Sequence, residues 1–324
     1  MTLANKTIIP IIIGPTAIGK THLAIQLALK TNGEIISADS MQIYKKMNIG
    51  TAKPSTDEKQ EIPHHLIDLI LPDQRFTVAD FQEQALTKID ELTIQKTLPI
   101  IAGGTGLYIH SLLYDMDFSK KEVDQSLRNK LEAIYKEKGS EELFLRLKSI
   151  NSEVALRIHP NNWKRIIRAI EVSTYSSQGI KDFSKDLVAR KNYCFKVFGL
   201  YQDRNTLYNS INNRVDDMLK NGLEEEVREL LRCGYNRNSP ALKGVGYKEL
   251  IAYFYGECSY EDAVGLIKRN TRRFAKRQMT WFNRIPDVTW YSLNGSSSND
   301  KEKELEVINN LIIKELKGVG CSEK

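Results

Sequence analysis

Thr7-Ile8-Ile9-Pro10-Ile11-Ile12-Ile13 runs directly into Gly14-Pro15-Thr16-Ala17-Ile18-Gly19-Lys20-Thr21. The first segment is almost wholly β-branched and uncharged, which predicts a strand buried on both faces, as in a parallel sheet. The second matches G-x-x-x-x-G-K-[ST] in full. Lys20–Lys30 then puts Leu23, Ala24, Leu27 and Ala28 on one helical face. A strand, a glycine-bounded loop and a helix in this order make a phosphate cradle. The glycines let backbone N–H groups turn inward around phosphate oxygens. The helix offers its positive end to the same anion. Lys20 adds a full charge, and the Thr21 hydroxyl can ligate Mg2+. The motif specifies linked phosphates without choosing among ATP, GTP and a prenyl diphosphate.

Working outward, Glu34–Ala38, Leu98–Ala102 and Tyr193–Leu200 read as further strands. Thr77–Glu91 reads as a helix, with Phe81, Ala85 and Ile89 four apart. Strands alternating with helices predict an α/β fold, a P-loop-type parallel sheet core flanked by helices. The stretch 116–190 shows helical patterns only. In Val123–Lys138 the residues Val123, Leu127, Leu131 and Ile134 share a face; in Asn161–Tyr175, Trp163, Ile166, Ile167 and Ile170 do. This predicts an all-helical insertion domain. The expected organisation is a first core part at 1–115, the insertion at 116–190, a second core part with mostly helical character at 191–294, then a flexible break at Gly295–Asn299 and one last amphipathic helix through Leu305, Ile308, Ile312 and Leu316.

The 324 residues are 41% hydrophobic and 27% charged, enough for a sizeable core and against wholesale disorder. The net charge of +6 suits a polyanionic partner. Lys268–Arg284 holds seven Lys or Arg residues and no acid. Cys194, Cys233, Cys258 and Cys321 form no CxxC pair and match no zinc spacing, so free thiols in a reducing cytoplasm are expected. The apolar run Ile8–Ile13 is too short to span a bilayer, and no cleavage site follows it. The five histidines show no metal-ligand pattern.

A P-loop ATPase usually ends a later apolar strand with an acid, but the strand at 98–102 ends in Gly103-Gly104-Thr105. The acid available nearby is Asp39, at the end of the second strand. Ligands of open α/β sheets sit at the carboxyl ends of strands, so the P-loop, Asp39 and Thr105 converge on one crevice. Asp39 can serve as general base to an incoming nucleophile or as a helix N-cap. Thr105 can orient the nucleophile or merely complete a turn. A transferase fits this set better than a motor or a switch.

Further blocks follow in order: Asp39–Tyr44 (DSMQIY), Gly50–Pro54 (GTAKP), Gly103–Tyr108 (GGTGLY), His159–Glu171 (HPNNWKRIIRAIE), Gly246–Glu249 (GYKE) and Thr271–Trp281 (TRRFAKRQMTW). With the P-loop, they make the chain closely resemble the bacterial tRNA dimethylallyltransferases, from the first strand to about residue 284. The resemblance implies transfer of a dimethylallyl group from dimethylallyl diphosphate to N6 of the adenosine 3′ of the anticodon in tRNA, with release of pyrophosphate. It implies that Gly14, Pro15, Thr16, Ala17, Ile18, Gly19, Lys20 and Thr21 hold the donor's diphosphate, with Thr21 on Mg2+. Asp39 would be the general base and Thr105 would lie beside the reacting amine. The tRNA anticodon stem-loop would be gripped between core and insertion, its target base flipped into a channel. Facing the tRNA would be Asp39, Ser40, Met41, Gln42 and Thr105, then Leu127, Trp163, Lys164, Arg165, Ile166, Ile167 and Arg168, and finally Arg272, Lys276, Arg277 and Gln278. Ser210 stands where many relatives carry Arg, which leaves Arg214 as the phosphate-side cation of that block. A monomeric, cytoplasmic enzyme is expected.

The implied chemistry is coherent from below. An exocyclic adenine amine is a weak nucleophile, so a base must take its proton as the C–N bond forms. Charge grows on the departing pyrophosphate, where loop amides, Lys20 and Mg2+ stabilise it. Removing the base from its stack costs a few kcal/mol. Lys164, Arg165 and Arg168 lie off the apolar stripe of their helix and, with the Lys268–Arg284 run, can hold the RNA backbone.

Overall fold

The computed structural model describes residues 7–116, 118, 125–175, 187–295 and 298–318. The chain opens with β1 (Ile8–Ile13), α1 (Lys20–Thr31), β2 (Gly33–Ser37), α2 (Thr56–Lys59), β3 (His64–His65), α3 (Val78–Ile94), β4 (Leu98–Gly103) and α4 (Gly106–Leu113). Then come α5 (Gln125–Ile150), α6 (Ser152–Ala155) and α7 (Trp163–Tyr175). β5 (Cys194–Tyr201) resumes the sheet, followed by α8 (Arg204–Lys220), α9 (Leu223–Arg232), a 3-10 turn at Ala241–Lys243, α10 (Tyr247–Phe254), α11 (Tyr260–Phe282), β6 (Thr289–Ser292) and α12 (Ser298–Gly318). The chain forms two compact units, 1–115 with 189–324, and Met116–Val188.

Among the described residues the strands make one parallel sheet in the order β3-β2-β4-β1-β5-β6. β1 is buried along its whole length, and its side chains alternate between two layers. Ile9, Ile11 and Ile13 pack with Phe81, Ala85 and Ile89 of α3 and with Ile109 and Leu112 of α4. Ile12 faces Leu23 and Leu27 of α1 and Ile308 and Ile312 of α12. Each such side chain contributes roughly 1.5–3 kcal/mol on burial. Pro10 is tolerated in this central strand because the β1–β4 register begins one residue later, at Ile11 opposite Ile101.

A third core joins the loop after β2 to the late helices: Ile43 and Met47 pack with Val227, Leu230, Tyr247 and Leu250. The helical unit has its own core of Leu131, Leu143, Leu147, Val154, Ile158, Ile166, Ile167 and Ile170. Its long α5 is interrupted at Gly139, whose φ of 80° no other residue type adopts readily. Tyr135 stacks on Trp163 at 4.4 Å, and Arg128 pairs with the buried Glu171 at 2.8 Å.

Some expectations need correction. α12 already starts at Ser298, inside the break expected at 295–299, and Gly295 is buried, with Glu304 accepting its N–H. β3 and β6 escape a reading by periodicity because both are very short. The start of the helix expected at Val123 lies outside the described residues. Cys233 and Cys258 are free thiols, but Cys194 is disulfide-bonded, so the expectation of free thiols fails there. Sequence spacing carries no information about such long-range pairing.

Candidate active site

The loop between β1 and α1 is shaped by glycines where no side chain fits. At Gly14 (φ 151°) a Cβ would stand 2.8 Å from the Leu200 carbonyl oxygen; at Gly19 (φ 110°) it would stand 3.0 Å from Leu305 Cδ1. Gly19, just before α1, gives that helix no side-chain cap, whereas Thr77, Asp203 and Ser259 cap α3, α8 and α11. The opening amides of α1 are thus left for an anion. Thr16 differs: its N–H donates to Gln278 Oε1 at 2.9 Å.

Lys20, Thr21 and Arg214 line one cleft of about 730 Å³, together with Ala17, Ile18 and Gly19. The Lys20 ammonium donates to the Pro15 carbonyl at 2.8 Å. Burial, then the neighbouring Arg214 charge, lowers its pKa to about 7, against the opposing pull of Asp39. Burial likewise pushes Arg214 down, opposed by Asp39 and Glu58. Two cations lining one sheltered cleft suit an anion. The Asp39 carboxylate is therefore within electrostatic reach of both.

Asp39 leaves the end of β2 half-buried, and Oδ1 accepts the Met41 N–H at 2.9 Å. This is a local turn; no helix begins here, so Asp39 is not a helix cap. Thr105 starts α4, yet its hydroxyl does not cap that helix. Instead its Oγ1 accepts the Ser40 N–H at 2.9 Å and donates to Ser40 Oγ at 3.2 Å. The Thr105 N–H donates to the Ala38 carbonyl at 3.1 Å. At Gly103 a Cβ would sit 2.2 Å from the Ala38 carbonyl oxygen, so only glycine lets the ends of β4 and β2 approach this closely. P-loop, Asp39 and Thr105 thus come together at the carboxyl ends of three neighbouring strands.

Two organising residues lie beyond sequence reasoning. Gln278, expected on the RNA-facing surface, is 4% exposed, with its Nε2 donating to the Gly104 carbonyl at 2.9 Å. It ties the P-loop to the end of β4. Glu226 of α9 accepts N–H groups of Asn48, Ile49 and Gly50 at 2.7, 2.8 and 3.0 Å, and the Tyr247 hydroxyl at 2.7 Å. Acids in a Glu-rich helix give no sequence signal that one turns inward.

The other candidates divide by exposure. Lys164, Arg165 and Arg168 are exposed, with Arg168 also reaching Glu171 at 3.4 Å. Ile166 and Ile167, expected to face RNA, are 0% and 1% exposed and belong to the core of the helical unit. Leu127 and Trp163 are half-buried against the same core. On α11, Lys276 and Arg277 are exposed, while Arg272 donates to Asn212 Oδ1 at 2.6 Å and lies over the Tyr208 ring. Met41 is half-buried, its methyl 2.5 Å from where a Cβ on Gly244 would stand. Gln42 accepts the Ser37 hydroxyl proton at 2.9 Å and donates to the Ala52 carbonyl at 3.2 Å.

The donor set suits Mg2+ held mainly by a ligand's phosphates. Among the described residues no cluster of three His, Cys, Asp or Glu could cage a metal. An exposed Thr21 hydroxyl beside a phosphate cradle matches the sparse protein ligation that Mg2+ takes.

An uncapped P-loop helix, paired cations in a cleft and a carboxylate at the next strand end define a P-loop transferase. Residues 42–285 match the family described as IPP transferase. The chain is 52% identical to the tRNA dimethylallyltransferase of Alkaliphilus metalliredigens, over 91% of this chain and 95% of that one. Its fold is similar to the solved tRNA isopentenylpyrophosphate transferase of Bacillus halodurans, with TM-score 0.71, 38% identity, and 96% and 97% of the two chains covered. A eukaryotic dimethylallyltransferase solved acting on tRNA shares the fold at TM-score 0.81 and 24% identity, over 98% of this chain and 81% of that one. The chain belongs to the tRNA dimethylallyltransferase family and is a prenyltransferase.

Proposed function

We propose that the chain transfers the dimethylallyl group of dimethylallyl diphosphate to N6 of the adenosine 3′ of the anticodon in tRNA. Pyrophosphate leaves from the P-loop. The observation that carries this reading is the set of contacts joining three strand ends: Gln278 links Thr16 of the P-loop to Gly104, and Thr105 accepts the Ser40 N–H beside Asp39. It supports Asp39 as the proton acceptor and the P-loop as the holder of the leaving group, and the Asp39 charge acts on both Lys20 and Arg214.

In this reading N6 attacks the allylic carbon, the C–O bond to the diphosphate breaks, and the amine proton passes to the Asp39 carboxylate. Thr105 donates its proton to Ser40 and spends one lone pair on the Ser40 N–H, which leaves a second lone pair for an amine hydrogen. The α1 amides, Lys20 and Arg214 neutralise the departing pyrophosphate. Mg2+, held by Thr21 and the phosphates, supplies further charge neutralisation when bound. Lys164, Arg165 and Arg168 on the helical unit, and Lys276 and Arg277 on α11, offer exposed charge to the RNA backbone. No helix among the described residues is long and apolar enough to cross a membrane. A monomer working in the cytoplasm, where tRNA is available, fits this activity.

The test is incubation with labelled dimethylallyl diphosphate and, separately, tRNA, AMP and ATP. Label should enter tRNA alone. Label in a free nucleotide would favour a nucleotide prenyltransferase, and steady ATP turnover with no use of the prenyl donor would favour a kinase.

A further inference from the structure

We propose that Lys301, on the C-terminal helix α12, is a phosphate ligand of the donor cleft, so that α12 is a working wall of the active site. The assignment rests on reading that cleft as a diphosphate site. Lys301 lines it together with Lys20, Thr21 and Arg214. Its Nζ donates to Ser210 Oγ at 2.8 Å. A neutral hydroxyl leaves the ammonium charge uncompensated, and among the described residues no carboxylate pairs with it. Ser210 lines the same cleft but carries no charge. What it does is hold the lysine head at the cleft wall.

The helix that delivers Lys301 is fixed in place. One turn on, Leu305 abuts Gly19 at the head of α1 and joins the core with Ile18. Glu304 accepts the Asn294 and Gly295 N–H groups at 2.9 and 3.0 Å. Further along, Glu315 pairs with Lys196 at 2.5 Å and accepts the Tyr291 hydroxyl proton at 2.9 Å. A lysine on a helix anchored at both ends loses little freedom on meeting an anion. Glu58 and Asp217 also line the cleft. Once a diphosphate holds Lys20 in its charged form, Lys20 and Arg214 together only balance those two carboxylates; Lys301 is the third cation of the wall and gives it a positive excess toward the anion.

The experiment measures inorganic pyrophosphate binding in Mg2+ by calorimetry, alongside steady-state kinetics with dimethylallyl diphosphate and tRNA. Lys301→Gln should weaken pyrophosphate about tenfold, in the range of one charge-assisted contact. It should raise the donor KM to match, with tRNA KM and melting temperature unchanged. Lys303→Gln, an exposed lysine of the same helix, should change neither. Lys301→Arg should retain binding, and Ser210→Arg placed in the Lys301→Gln background should restore it. If the wild type prenylates tRNA and Lys301→Gln binds pyrophosphate as tightly as it does, the assignment is overturned. A binding loss that Lys301→Arg shares, with a fall in melting temperature, also overturns it in favour of a structural role. A wild type that binds no pyrophosphate overturns the donor-site reading and this assignment together.

Discussion

The Gln278 side-chain carbonyl accepts the Thr16 amide at 2.9 Å, and its own amide reaches the Gly104 carbonyl at the same distance. One side chain from α11 thus sets the spacing between the phosphate loop and the strand end that leads to Thr105. Gln278→Ala leaves the buried Gly104 carbonyl unsatisfied, at about 1–3 kcal/mol, and frees the half-buried Thr16 N–H at a smaller cost. Chemical denaturation should show a loss of that order, with a raised donor KM. Gln278→Glu keeps an acceptor for Thr16 but turns a second one toward Gly104, so it should also destabilise.

Asp39→Ala should leave dimethylallyl diphosphate binding intact or tighter, since a negative charge near the anion site is removed. The single-turnover transfer rate should fall by roughly 10²–10⁴-fold, the usual worth of a positioned base. Rapid-quench assays at saturating donor measure this. Near-normal transfer would remove Asp39 from the role of base.

Lys20 predicts a pH effect with a definite sign. Burial lowers its pKa to about 7, so above that pH the folded chain carries it neutral while an unfolded chain carries it charged. Stability of the ligand-free protein should therefore gain from this group as pH rises through 7 toward the ordinary lysine value. A bound diphosphate favours the charged form. Binding near pH 8 should then take up protons, visible in calorimetry as a heat that depends on the buffer's ionisation enthalpy. Lys20→Met should abolish that dependence and weaken binding.

Replacing Lys164, Arg165 and Arg168 by Ala should weaken tRNA binding without changing pyrophosphate affinity. All three are exposed, and the buried Glu171 that Arg168 reaches keeps Arg128 at 2.8 Å, so stability should move little. The slope of log affinity against log salt should flatten by about 0.7–0.9 for each phosphate no longer neutralised. An unchanged slope would return these residues to the role of a solvated face.

The sheet is readable where a segment announces both its ends. Ile8–Ile13 is apolar throughout and stops at a glycine turn, and Leu98–Gly103 behaves alike. β3 and β6 are too short to show a period. The site is readable where chemistry demands a residue type at fixed spacing, as in Gly14–Thr21. It is opaque where a polar side chain works by turning inward. Gln278 sits in a run of Lys and Arg, Glu226 among other glutamates, and only tertiary packing distinguishes either from its exposed neighbours. Ile166 and Ile167 show the opposite error: within a block expected to face RNA, the apolar residues are buried.

The most direct measurement is the mass of tRNA, digested to nucleosides and fragments, after reaction with dimethylallyl diphosphate and Mg2+. One five-carbon unit on N6 of the adenosine beside the anticodon, with pyrophosphate released in equal amount, is the predicted result. Unaltered tRNA after incubation with folded protein, with the donor left intact, would contradict the account at its root.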